Sequence, residues 1–450
     1  MFTTPIRLFL LTSMLLGAVA CNSDKKFKEP DQPEAIANLA PSVVINSELE
    51  VVEGQTLPLD GSESTDPEKE TLTYQWSQIS GVSIALKGSD KAESSFIATE
   101  VDKDETVGIQ LTATDPQGNS SMALFEITIK NRVEISEIAF VDNNLSECVK
   151  ALNVEFADQI TELTCIGKGI VDADEVAMLK NLVLLDLTNN ELKTIDISKN
   201  KELRHLWLDH NGLAVIDVTQ NKLLETIWLY FTEISEIDVS QNQLLQSLTL
   251  SGKNLISLNI EKNVELVHLY ISFTSISTVD LYNNAKLVSL RAEDTPLTSI
   301  DISNNKLLEV FSTSINELTS LDLSQNLKLK ELHLWKNKLA SIDISENVEL
   351  TYLLISDNQL SSIDVYQNTK LTFLTLSKNI LSTINVSQNT ELMTLDLWRN
   401  NFTNLDVGMN TKLSKLVIRE NPSFSCTNIE IITEQFPEIE FLYDTSCQNP

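Results

Sequence analysis

Leu371-Thr372-Phe373-Leu374-Thr375-Leu376-Ser377-Lys378-Asn379-Ile380-Leu381-Ser382-Thr383-Ile384-Asn385-Val386-Ser387-Gln388-Asn389 decides the fold. Its first half reads L-x-x-L-x-L-x-x-N-x-L. Alternation in Leu374-x-Leu376 is that of a short strand with both leucines on one face. So short a strand buries nothing alone, so neighbours must stack on it. They exist: the first leucine recurs every 21 residues at Leu182, Leu203, Leu224, Leu245, Leu266, Leu287, Leu308, Leu329, Leu350, Leu371, Leu392 and Leu413. Twelve in-register strands ~4.8 Å apart make a parallel sheet on the order of 55–60 Å long. A second asparagine recurs at Asn200, Asn221, Asn242, Asn263, Asn284, Asn305, Asn326, Asn347, Asn368, Asn389 and Asn410. It is expected to close the turn back to the next leucine, because asparagine bonds local backbone well.

This pattern resembles the leucine-rich repeat, most closely the bacterial, internalin-type branch, over residues 160–421. The resemblance implies a solenoid with its parallel sheet on the concave face. It also implies that the ninth-position asparagine turns inward to satisfy neighbouring turns. That residue is present at Asn190, Asn211, Asn316, Asn337, Asn358, Asn379, Asn400 and Asn421. Thr232, Lys253, Thr274 and Thr295 replace it, so the middle repeats are expected to be looser or differently shaped; a buried lysine cannot take that role. Solenoid ends expose core and need caps. Residues 132–181 are read as the first cap, with a helix over Leu145 to Phe156 and an atypical strand over Ile160 to Cys165. Residues 182–421 hold the twelve repeats. Residues 422–450 form the last cap, with a helix over Thr427 to Gln435 and a strand over Ile439 to Tyr443.

Residues 40–131 differ: short alternating runs (TLTYQWSQIS, GIQLTATD, ALFEITIK) are separated by turns at Asp60-Gly61, Asp66-Pro67 and Asp115-Pro116-Gln117-Gly118. Such punctuation predicts a β-sandwich. These residues, with Trp76 as core aromatic, resemble the PKD-like, immunoglobulin-type module. In relatives the first turn can hold calcium; here Asp66-Pro67-Glu68-Lys69-Glu70 lacks the glycine and carries a lysine. The chain is therefore read as mainly β, a sandwich followed by a leucine-rich-repeat solenoid.

Residues 1–20 combine Arg7 with an apolar stretch from Leu8 to Val19, too short to span a bilayer and suited to export. Ala18-Val19-Ala20-Cys21 resembles the bacterial lipobox, which implies lipidation at Cys21 and a membrane anchor. Asn22 rather than aspartate favours, by that analogy, the outer membrane or cell surface. Polar residues 21–39 are read as a flexible linker. Four further cysteines, an even number in an exported chain, indicate disulfides; Cys148–Cys165 with Cys426–Cys447 is the simplest of three connectivities. A net charge of −31 makes nucleic acid an unsuitable partner.

Function is carried by what varies within the unit. Positions three, five, seven and eight lie on or beside the concave sheet, and they hold His205, Trp207, Asp209, His210, Trp228, Tyr230, Phe231, His268, Tyr270, Phe273, Arg291, His333, Trp335, Tyr352, Phe373 and Trp398. All four histidines of the chain are among them. The rings fall into two clusters, one in repeats two, three and five and one in repeats eight to eleven, separated by Arg291, Glu293 and Asp294. An aromatic face of this kind is characteristic of interaction surfaces; cross-strand ring pairs that merely stabilise the sheet are the alternative. His205 and His268 stand about 14 Å apart by strand spacing, too far for one ion. No metal motif, nucleotide fingerprint or nucleophile elbow occurs. The expectation is a binding protein, not an enzyme, without cofactor or metal, whose ligand is a protein or, second, a glycan. A purely structural envelope role is the remaining class. A stripe of carboxylates precedes the second half of each unit, from Asp196, Asp217 and Asp238 to Asp406, with Asn259 and Asn385 interposed. Either turn hydroxyls and amides satisfy it or weak calcium ions do.

Overall fold

The structure, a computed structural model, describes residues 38–101, 103–444 and 447. The expected export segment, Cys21 and nearly all of the expected linker lie outside the described residues. The chain divides into two compact units, one ending at Arg132 and one beginning at Val133.

In the first unit, strands β1 (Glu50–Val52), β2 (Thr56–Asp60), β3 (Thr73–Ser80), β4 (Glu93–Ile97), β5 (Glu105–Thr114) and β6 (Ser120–Lys130) form two sheets, β1-β6-β5-β3 and β2-β4. Alternate residues of β5 (Val107, Ile109, Leu111) and β6 (Ile127, Ile129) meet Leu57, Leu59 and Phe96 in one core. Trp76 is 1% exposed there, and its indole N–H donates to the Lys91 carbonyl at 3.0 Å. In the Asp66 turn, Oδ1 accepts the Glu68 and Glu70 amides (2.9 and 3.1 Å); Asp115 does the same for Gln117 and Asn119. Both carboxylates thus brace their own turns.

The second unit is one parallel sheet of fourteen strands, each next to its sequence neighbour, from Glu162–Thr164 to Glu440–Leu442. The central residue of each repeat strand (such as Leu206, Leu248, Leu332 and Leu374) is fully buried, and only Phe441 in the closing strand is half-buried. The chain leaves the strand at position eight in the left-handed region, with φ of 50–60° at Asn189, His210, Phe231, Phe273, Asp294, Ile315, Lys336, Asp357, Lys378, Arg399 and Glu420. Non-glycine residues adopt this conformation at a cost of about 1 kcal/mol each, so something must fix the turn. A ninth-position asparagine follows eight of these eleven residues and a threonine the other three, and the asparagine makes the fuller set of bonds. Asn379 donates through Nδ2 to the carbonyls of Leu376 (3.0 Å) and Ile355 (3.1 Å), and its Oδ1 accepts the Leu360 amide (3.0 Å).

The substituted repeats keep part of this. Thr232 and Thr274 donate to the carbonyl three residues back, Leu229 and Ile271, at 2.9 and 3.0 Å, and Thr232 also reaches the Ser251 carbonyl at 3.4 Å. Lys253 is not buried at all. Gly252, with φ 145°, lets the chain swing so that the lysine points outward, where Nζ reaches Asp294 Oδ2 at 2.9 Å. The second asparagine also acts differently from expectation. Its backbone closes the turn (Leu287 N–H to Asn284 O, 3.1 Å), but its side chain reaches across repeats: Asn284 Nδ2 donates to the carbonyls of Asn263 (2.9 Å) and Ile260 (3.1 Å).

Both ends are covered. Helix α1 (Asn143–Lys150), capped by Asp142, stops sooner than the sequence suggested, because the chain turns at Ala151 and Asn153 takes φ 54°. Cys148–Cys165 ties it to the first turn, and Cys426–Cys447 ties helix α2 (Cys426–Gln435) to the segment after the last strand. The loops close over 17 and 21 residues, for which chain entropy gives about 3 kcal/mol each. Replacing Cys148 and Cys165 together by serine should therefore lower unfolding free energy by about 3 kcal/mol. Amide exchange should place the loss over α1 and the first two strands, leaving the later repeats protected.

The carboxylate stripe is satisfied by its own turns. Asp196, Asp238, Asp301 and Asp322 each accept the amide two residues on at 2.9 Å, and Asp217 and Asp343 also accept the hydroxyl of Thr219 and Ser345 at 2.7 Å. These bonds hold all six below the ordinary carboxylate range: the amide leads in five, with the hydroxyl second, and the Thr219 hydroxyl leads for Asp217. A depressed native pKa adds stability that is complete above about pH 4 and disappears as the pH falls through the lowered values. The midpoint of thermal unfolding should be flat from neutral pH to about pH 4 and then drop. A triple Asp301→Asn, Asp322→Asn, Asp343→Asn variant should soften that drop, because Asn259 and Asn385 already accept the same amide bond at 3.0 and 3.1 Å.

Candidate binding surface

Side chains at positions three and five alternate with the buried leucine and so stand on the open side of the sheet. In-register pairing makes two rows of them. Trp207 faces Trp228, which faces Thr249, then Tyr270, Arg291, Ser312 and His333; in the other row Glu331 faces Tyr352 and Tyr352 faces Phe373. Adjacent strands lie about one ring contact apart, so neighbouring rings stack. Trp207 and Trp228 are 5.1 Å apart at 18°. His333, Tyr352 and Phe373 form a continuous pile, 4.9 Å at 22° and 4.2 Å at 3°.

Left-handed position eight throws its side chain to the rim. There His210 stacks on Phe231 at 4.9 Å, Tyr230 meets Phe231 edge-on at 4.3 Å, and Phe273 lies 6.2 Å from each of Tyr230 and Phe231. The first expected cluster is therefore two neighbouring groups, a tryptophan stack and a rim cluster. His205 joins the tryptophan stack through Trp207 at 6.4 Å, whereas His268 pairs with Tyr270 at 6.4 Å, one repeat apart from that stack. In the second cluster the pile gathers His333, Tyr352 and Phe373. Trp335 has no ring partner among the described residues, and Trp398 is covered by Lys378, whose Nζ stands 5.2 Å from the ring. Phe231 is 53% exposed, Trp228 and Trp335 37% each; the remaining rings are half-buried against one another, except exposed His210.

The charges between the clusters are mutually engaged. Arg291 lies over Tyr270 at 5.9 Å and beside Glu293 at 3.7 Å, and the Ser312 hydroxyl donates to Glu293. Burial pushes Asp209 up even though it accepts the Tyr230 amide at 2.6 Å, and burial likewise raises Asp396. Burial, then the Arg291 charge, pushes His333 down. Three buried ring nitrogens, Trp207 Nε1, His268 Nδ1 and His333 Nε2, accept or donate no hydrogen bond among the described residues. No group of three or more His, Cys, Asp or Glu among the described residues is placed to hold a metal ion. Open cavities of about 530 Å³ beside the C-terminal cap and about 640 Å³ on the sandwich lie away from the rings. What the open side of the sheet offers is an ordered array of rings.

Sequence reading missed two things. One is the position-eight turn, invisible because phenylalanine, isoleucine and lysine occupy a conformation usually left to glycine. The other is what the ring-free repeat four presents, since its outward residues Ser247, Thr249 and Gly252 are all small. That run was legible as a gap between two aromatic repeats.

Residues 46–129 match a PKD domain family. The sandwich is a PKD-like domain. The repeats superpose on solved internalins: the functional domain of InlJ from Listeria monocytogenes (24% identity, TM-score 0.59, 71% of this chain and 72% of that one) and inlF from the same organism (22%, 0.56, 70% and 94%). The second unit is a leucine-rich-repeat solenoid. The LRIM1/APL1C complex has the same fold (19%, 0.52, 64% and 60%). No curated protein matches the chain in sequence.

Proposed function

We propose that this chain is a lipid-anchored recognition protein of the outer membrane or cell surface that holds a protein ligand on the concave face of its solenoid. Cys21 supplies the anchor, and the PKD-like domain is the spacer. The reading is carried by one observation: exposed Trp228, Trp335 and Phe231 stand on a preformed sheet whose other rings are locked by stacking. Rigid aromatic anchors on a pre-organised scaffold lose little entropy on binding. That one neighbour was solved as an assembly, LRIM1/APL1C, supports protein recognition on this fold. Stacking also weighs against a glycan as the principal ligand. Rings packed face to face present mainly edges, whereas a sugar platform needs open faces. No catalysis is proposed. The test is capture from whole cells or host surfaces by the full chain, compared with a Trp228→Ala, Trp335→Ala double variant. A captured protein lost in the double variant is expected; an equal capture by both refutes the site. Membrane fractionation of Cys21→Ser tests the anchor: the variant should be recovered in the soluble exported fraction.

A further inference from the structure

Repeat four interrupts the ring rows. Thr249 sits in register between Trp228 and Tyr270. Trp207 covers one face of Trp228 at 5.1 Å, and Arg291 covers the far face of Tyr270 at 5.9 Å. Along this row only a threonine stands between the two rings. Ser247 lines the floor, its hydroxyl facing the Trp228 indole N–H at 3.3 Å. One end is closed where Phe231 and Tyr230 each approach Phe273 to 6.2 Å across Gly252. A side chain at 252 could not be inserted there, since its Cβ would come 2.9 Å from the Thr232 carbonyl oxygen.

The notch has a width and a charge preference. Strands two apart are separated by about 9.6 Å, and rings spanning this repeat approach as close as 6.2 Å. A flat group touching both walls at about 3.5–4 Å per face needs ring planes roughly 7–8 Å apart, inside those limits. A puckered sugar ring is thicker and carries substituents on its rim. Both walls are ring faces, the negative side of the aromatic quadrupole. The solenoid unit around them, residues 133–450, has 44 carboxylates against 23 basic side chains, so its field favours a cationic partner. Tyr270 already carries a guanidinium on its other face, with the charge of that arginine offset by Glu293 at 3.7 Å. A flat cation meets all of these conditions, and a compact, strongly hydrated ammonium meets fewer.

We infer that the notch between Trp228 and Tyr270 takes one arginine side chain of the protein partner, its guanidinium stacked between the two rings. This rests on the concave face being the recognition surface and adds the chemistry of the residue that enters it. The test is a titration of the full chain, ¹⁵N-labelled at tryptophan, with N-acetyl-arginine-methylamide, its lysine and phenylalanine counterparts, and methyl glucoside. The indole N–H resonances of Trp207 and Trp228 should shift saturably with the arginine probe and at least about tenfold more weakly with the lysine one. Thr249→Tyr, which fills the notch with a ring like its neighbours, should abolish the shift while the thermal midpoint stays at or above that of the wild type. Saturable binding of the phenylalanine probe or the glucoside in place of arginine overturns the assignment. So does an arginine shift that survives Thr249→Tyr, or no shift with any probe. Cell-surface capture separates this from the wider reading: if Thr249→Tyr still captures the ligand but Trp228→Ala, Trp335→Ala does not, the surface stands and the notch falls.

Discussion

Asn379→Ala should destabilise the solenoid by about 3–5 kcal/mol. The Leu360 amide is the reason. Leu360 is fully buried, and its N–H finds its one partner in Asn379 Oδ1. A buried donor left without an acceptor costs about 1–3 kcal/mol, and each lost hydrogen bond adds about 1 kcal/mol. The two carbonyls that Asn379 serves fare better: Leu376 O keeps Asn400 Nδ2 at 2.9 Å and Ile355 O keeps Asn358 Nδ2 at 3.3 Å. Asn379→Thr should cost less, about 2–3 kcal/mol, because a threonine there retains the bond three residues back that Thr232 and Thr274 make. Repeat arrays couple only nearest neighbours, so the loss should appear locally. Amide exchange should show reduced protection in the repeats around Leu360 and Leu376, and urea unfolding should broaden or split. Equal protection in wild type and Asn379→Ala would show that the ladder does not carry the turn.

That ladder marks how far the sequence could be read. A period of 21 in leucine fixes strand, register and stacking, because one residue of slip would put Leu374 and Leu376 on the wrong face. Both asparagine ladders were visible for the same reason: each is periodic. Cap pairings were legible because each cysteine pair brackets one terminal element. What could not be read was local backbone sign. Nothing in Ile315 or Lys378 announces a left-handed residue, since the asparagine that follows holds the turn from outside, and Phe231, Phe273 and Asp294 take the same turn before a threonine. Nor was the fate of Lys253 legible, because it depends on the preceding Gly252 reaching φ 145°. The candidate site was legible as a set of positions and not as an arrangement. Periodicity puts Trp207 and Trp228 in one row; it does not say that Trp228 keeps a free face while Tyr352 loses both of its own to His333 and Phe373.

Exposure, then, singles out where binding energy should concentrate. Trp228→Ala is expected to weaken ligand capture by about 2–4 kcal/mol, roughly thirty- to a thousandfold, as for a central aromatic anchor. Tyr352→Ala should act differently. It sits inside the pile with Phe373 at 4.2 Å and His333 at 4.9 Å, so removing it costs about 1–3 kcal/mol of fold stability from ring contacts and burial. Its effect on capture should be the smaller of the two. Thermal unfolding separates the cases: Trp228→Ala should keep a near wild-type midpoint and lose affinity, whereas Tyr352→Ala should lose midpoint first. The opposite ordering would mean that the rings serve only to hold the sheet together. A structural envelope protein would behave in that way, with Cys21→Ser disrupting its role while every concave variant left capture unchanged. Recognition by the concave face requires affinity and stability to come apart at Trp228, and a titration of one variant against the wild type decides it.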